Sequence, residues 1–238
     1  MHCLTELPKD AVTRDHVFPS SWYTDDTPTT VQRWTVPSCQ SCNETFGKME
    51  KELFLRLGMC IDPAKAEATG INQKLLRSFG VGPDISGSER EIRKKLKDKI
   101  MAESIPYAGH EVLPSLGLHQ GFAPEAQRII LIPANLLFGV LKKVFRGTEY
   151  VLNDGRYITP PYSIELYHVH EEPIGITQIF GKFAATTSLG PGFELKKAAP
   201  RDDRCMALYK VTIWGTLISY ASIDKHSEIS ANGSRADI

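Results

Sequence analysis

The sequence predicts an α+β protein made of three unlike stretches: a strand, loop, strand, helix unit at the start, a helical and loop-rich middle, and an antiparallel sheet with a helix packed against it. Three observations carry that reading. Cys3, Cys39 and Cys42 all fall within residues 1–60, and the last two open a helical pattern. Residues 61–126 show helical spacing broken by SFGVGPDISGS. From residue 127 to 238 a helical stripe is followed by short runs rich in β-branched and aromatic residues.

Composition bounds the answer. With 238 residues, 42% of them hydrophobic, and a formal net charge of zero, the chain has enough apolar material for one good core, or one core and a small accessory module. No run approaches the roughly eighteen apolar residues of a membrane span, and MHCLTELPKD lacks the regions of a secretory signal, so the cytoplasm is the expected compartment. Five cysteines at positions 3, 39, 42, 60 and 205 make no disulfide framework, and in a reducing compartment the close pair reads as a metal knuckle. Neutral charge means that any affinity for nucleic acid must come from a local basic surface.

In the first stretch, RWTVPSC has strand character with a proline that suits a strand end, and RDHVFPSSW places Asp15 and His16 on its partner in a loose hairpin. After Cys42 the residues Phe46, Met49, Leu53 and Leu57 recur at helical spacing, with Gly58 as a stop. In the middle stretch Ser88 and Glu91 form a capping box ahead of an Ile92, Leu96, Ile100 stripe. The basic residues around it, from Arg90 to Lys99, read first as a solvated face. In the last stretch RIILIP reads as a strand and NLLFGVLKKVFRG as a helix packing through Leu137, Val140, Leu141 and Val144. YSIELYHV, IGITQIFGKF, GFELKKA and ALYKVTIWGTLISYASI read as strands, the last broken at Gly215 with Tyr209, Val211 and Ile213 on one face. Cys60 and Cys205 read as buried thiols, His168 and His170 as part of a surface strand, and the tail KHSEISANGSRADI as frayed.

Asp15 and His16 on a strand, the C-x-x-C knuckle of Cys39 and Cys42, and Asn43 at the head of a helix together resemble the HNH endonuclease family over about the first quarter of the chain. The F-G-K-M-E run after Asn43 is similar to one subgroup of that family. The resemblance implies a zinc-stabilised ββα-metal module that hydrolyses phosphodiester bonds of nucleic acid, DNA before RNA, with one divalent ion. Asp15 and Asn43 would hold Mg²⁺ or Mn²⁺, and His16 would take the proton from the attacking water. Hard oxygen donors suit such an ion, and an imidazole titrating near neutrality suits the proton transfer. Arg14 and Lys48 are candidate phosphate contacts, and a homodimer would ease double-strand cutting. Neighbouring strand residues point to opposite sides, so Asp15 and His16 share a site only if the strand bends, aided by Pro19.

Two features depart from the family pattern. No asparagine lies between His16 and Cys39, and Gln32 has the nearest amide chemistry for that middle position. Only Cys3 stands where a second C-x-x-C would supply two more thiolates for zinc. In a pair ending at Cys3 the first cysteine would fall one residue before Met1, the spacing of a chain that begins at an internal methionine. The alternative ligand set is His2, Cys3, Cys39 and Cys42, in which neighbouring ligands make tetrahedral closure awkward. These departures favour a second class of function, a zinc-stabilised nucleic-acid-binding or scaffold protein that keeps the shape without catalysis.

Overall fold

The computed structural model describes residues 2–4, 6, 8–62, 65–79, 86–107, 127–156, 158–159, 162–167, 174–199 and 205–225, with backbone alone at 188, 205 and 206. His168, His170, the Cys205 side chain, residues 80–85 of the SFGVGPDISGS break and the tail after 225 lie outside the described residues.

The chain begins with the expected strand, strand, helix order. β1 (Val12–His16) pairs antiparallel with β2 (Thr35–Cys39), placing Arg14 opposite Pro37 and Asp15 opposite Val36. A two-stranded ladder leaves each strand one unpaired edge, which is where a proline without an N–H fits. α1 (Gln40–Gly58) follows at once, and the Cys39 thiol caps it by accepting from the Cys42 N–H at 3.4 Å. The connection between the strands is no loose loop: Val17, Phe18, Trp22 and Tyr23 within it are buried.

Next come α2 (Ile71–Ser78) and α3 (Gly87–Glu103). The α3 cap is Ser86, whose hydroxyl accepts from the Glu89 N–H at 3.3 Å, so the helix starts two residues before the capping box expected at Ser88 and Glu91. The expected apolar stripe is also corrected. Ile92 is 59% exposed and Ile100 is the buried member, because α3 is fastened largely through charge. Lys99 pairs with Glu52 of α1 at 3.0 Å, and the buried Arg56 guanidinium bonds Glu52 and Glu103. β3 (Ile105–Pro106) and β4 (Arg128–Ile129) form a two-residue ladder, so RIILIP yields only a short strand.

α4 (Ala134–Leu152) is the hub. Gly139, Lys143 and Gly147 recur every four residues and so share one face. A Cβ at Gly139 would meet the flexible end of the Met49 side chain of α1, and one at Gly147 would meet Val17 Cγ2 at 2.8 Å. Gly147 therefore lets α4 lie close against the first unit. Val140, Leu141, Val144 and Phe145 are buried, and the Phe145 ring lies 5.6 Å from that of Tyr209.

The sheet is five-stranded and antiparallel in the order β5-β9-β8-β7-β6, from β5 (Tyr162–Tyr167), β6 (Ala184–Ser188), β7 (Phe193–Ala198), β8 (Cys205–Ile213) and β9 (Leu217–Lys225). Tyr209, Val211 and Ile213 are all buried on the face toward α4, as their alternation requires. IGITQIFGKF is corrected from strand to helix, α5 (Ile174–Phe183). Its Ile176, Ile179, Phe180 and Phe183 have i, i+3, i+4, i+7 spacing, and Phe180 packs on Tyr220 and Ala198 across the sheet's second face. The AATTS of β6 had no strand expectation, since two alanines and a serine carry little β signal.

One apolar cluster runs from Val17 through Leu53, Ile71, Ile100, Phe145 and Leu195 to Ile223, so all three stretches contribute to it. The three-residue connection from β8 to β9 turns through Trp214 and Gly215, both at positive φ (51° and 61°), and the Thr216 N–H donates to the Ile213 carbonyl at 3.0 Å. The Trp214 side chain offsets that backbone cost by packing on Trp22 at 5.5 Å and Phe54 at 5.6 Å. Among the described residues no helix is long and apolar enough to cross a membrane.

Gly147→Leu is expected to lower stability by about 1–3 kcal/mol or more in urea unfolding, because the added side chain meets the buried Val17. Gly47→Ala, where a Cβ meets nothing within 4 Å, is expected to gain about 0.5–1 kcal/mol from helix propensity. Equal stability of Gly147→Leu and the parent would contradict the close seating of α4.

Candidate functional site

A cavity of ≈ 590 Å³ opens where β1, α1, α2 and α3 meet. Arg14, Asp15 and His16 reach it from the end of β1, and Asn43 reaches it from the first turn of α1. The strand stops at His16 and the chain bends, so both Asp15 and His16 line the cavity. Gln32 is exposed before β2 and Lys48 is exposed on α1; both lie outside the lining.

Asn43 fastens the helix to the strand. Its Nδ2 donates to the Arg14 carbonyl at 3.3 Å and to Thr13 Oγ1 at 3.4 Å. A backbone carbonyl can only accept, so the amide orientation is fixed and Oδ1 is left as its acceptor atom. His16 is half-buried, and its Nδ1 is buried without a hydrogen-bond partner among the described residues. Burial holds the His16 imidazolium below its ordinary pKa, with Lys143 and Arg33 acting in the same direction against Asp15. The neutral ring is the favoured form at neutral pH, which leaves a nitrogen lone pair available as a base.

Behind the cavity wall lies a buried charge cluster. Lys143, 1% exposed, donates to Asp15 Oδ1 at 2.7 Å and also to Glu50. His2 Nε2 meets Asp15 Oδ2 at 2.9 Å, and the His2 ring packs edge-on against Phe46 at 4.7 Å. Arg146 of α4 holds the same segment by donating to the His2 carbonyl at 3.2 Å. The two acids that share Lys143 differ in titration for a visible reason. Burial would raise Asp15, but the His2 hydrogen bond and the Lys143 charge outweigh it and hold its pKa below the usual value. Burial, with the neighbouring Asp15 charge in the same direction, pushes Glu50 up to about 7 despite Lys143. Removing one partner from such a group leaves a buried charge uncompensated, a cost on the order of 3–5 kcal/mol.

At the other end of β2 the Cys3, Cys39 and Cys42 thiols lie within 4.8 Å of one another, close enough to bind one metal ion. His2 does not join them; it is committed to Asp15, so the four-ligand set expected with His2 does not assemble in this arrangement. Hydrogen bonds from Ser41 and the Cys42 N–H lower Cys39, whereas burial and the neighbouring thiols push Cys42 up to about 12. A bound soft cation would relieve that crowding by holding all three as thiolates. Cys60, expected buried, is half-buried, and burial raises its thiol to about 11.

The cavity also gathers cations that sequence reading did not single out as contacts: Lys51 of α1, Lys74 of α2 and Arg93 of α3 join Arg14 in the lining. Glu50 was missed too, although it follows Asn43 by two helical turns in NETFGKME. Lys143 carried a signal too, as a lysine set among Val140, Leu141 and Val144 of an apolar helix. No family model, curated protein or solved structure matches the chain.

Titration with Co²⁺ is expected to give one equivalent of thiolate-to-metal charge-transfer absorbance, lost in Cys42→Ala. A titration without that band would contradict the three thiols acting together.

Proposed function

We propose that the chain is a divalent-metal-dependent endonuclease of the HNH type, hydrolysing phosphodiester bonds of nucleic acid, with DNA as the proposed substrate. The observation that carries this reading is the convergence of His16, Asp15 and Asn43 on one cavity that Arg14, Lys51, Lys74 and Arg93 also line. The Asp15 carboxylate and Asn43 Oδ1 are hard oxygen donors that fit Mg²⁺ or Mn²⁺. Such an ion supplies, when bound, charge stabilisation to the phosphate and to the leaving oxygen. His16, neutral and open to the cavity, takes the proton from the attacking water. The cationic lining orients the phosphate and offsets its charge. The helix face between Asn43 and Lys51 is open, since a Cβ at Gly47 would meet nothing within 4 Å.

The thiol cluster has a positioning part in this account. Zinc held by Cys3, Cys39 and Cys42 would lock the α1 N-terminus, and Asn43 is the next residue after Cys42. A second reading, binding without catalysis, draws on one observation: both oxygens of Asp15 already have partners, in His2 and Lys143.

Nicking of supercoiled plasmid is expected in Mg²⁺ or Mn²⁺ and not in EDTA, with His16→Ala slower by about 10²-fold or more. Asn43→Ala is expected to need a higher metal concentration for the same rate. Cutting that persists in EDTA or in His16→Ala would overturn this mechanism. Plasmid binding without any cutting would favour the binding reading.

A further inference from the structure

Lys143 reaches the Asp15 carboxylate from the opposite half of the chain, and its position is tightly constrained. Gly147, one turn further on the same face, seats α4 against the buried Val17. The ammonium also lies 5.7 Å from the centre of the Phe46 ring, over its face. Its charge is sealed from solvent, so salt screens it little. A divalent ion bound to Asp15 Oδ1 at about 2.1 Å would therefore stand within roughly 5 Å of a fixed positive charge.

We infer that Lys143 is a built-in cation that competes with the divalent ion for Asp15, so that α4 sets the metal affinity of the site. The inference rests on the nuclease reading. Asp15 keeps lone pairs beyond the two in use, so ligation is weakened by repulsion and not blocked. Glu50 moderates the effect. It draws on the same ammonium, and the group of two carboxylates and one lysine leaves room for a further positive charge.

The test is Mn²⁺ binding followed by the electron paramagnetic resonance signal of the free ion, a hard cation with little preference for the thiol cluster. Four full-length proteins are compared: the parent, Lys143→Met, Glu50→Gln, and the double variant Lys143→Met with Glu50→Gln. Methionine keeps the length of the stem, and the double variant removes one acid with the cation, so that it folds without a stranded pair of carboxylates. The expected result is tighter Mn²⁺ binding by about tenfold or more in Lys143→Met against the parent, and in the double variant against Glu50→Gln, within the usual 5–150-fold span of linked binding. Should Lys143→Met fail to fold, the second comparison decides alone. Binding that is unchanged or weaker on loss of Lys143 would overturn the inference, and plasmid nicking that persists in the parent would leave the nuclease reading standing. Absence of Mn²⁺ binding from every variant would overturn both.

Discussion

A lysine ammonium enclosed between two carboxylates joins the C-terminal half of this chain to the strand and helix that form its cavity. Lys143 comes from α4, Asp15 from β1 and Glu50 from α1, and each is buried. Three elements must be in register for the one ammonium to meet both acids, so the cluster ties β1, α1 and α4 together. Asp15 and Glu50 shift in opposite directions, because the His2 hydrogen bond adds to Lys143 at Asp15, whereas at Glu50 burial outweighs Lys143.

The rest of the molecule is arranged around that junction. α4 presents its glycine and lysine face to the first unit and its Phe145 to the sheet, so a single helix serves two partners. Trp214 and Trp22 bring the sheet's hairpin against the connection between β1 and β2, and the Trp22 indole donates to the Glu50 carbonyl at 3.1 Å. The cavity wall is therefore held at once by charge from α4 and by aromatic packing from the sheet. A cavity so supported keeps its polar groups in place before any ligand arrives, which favours binding and catalysis alike.

What the sequence made legible follows from how local each signal is. The hairpin and the helix opening at Cys39 depend on nearby residue types and were readable from them, whereas the expectation that Asp15, His16 and Asn43 share one place came through the family resemblance. Gln32 and Lys48 were drawn in by chemistry alone, and the fold leaves both exposed outside the cavity. The helix at Ile174–Phe183 was mistaken for a strand because its β-branched residues outweighed a helical spacing that was present. Lys143 required tertiary knowledge. A lysine in an apolar stripe announces burial, but its partners lie some hundred residues away in sequence and no periodicity points to them.

The most direct test of the account is a crystal structure of the chain soaked in Mn²⁺, with anomalous scattering recorded at the manganese edge. The account predicts a peak bound by the Asp15 carboxylate and Asn43 Oδ1, on the cavity side and next to His16. A fully occupied peak confined to the thiol cluster, or a Mn²⁺-soaked crystal with no peak near Asp15, would contradict it.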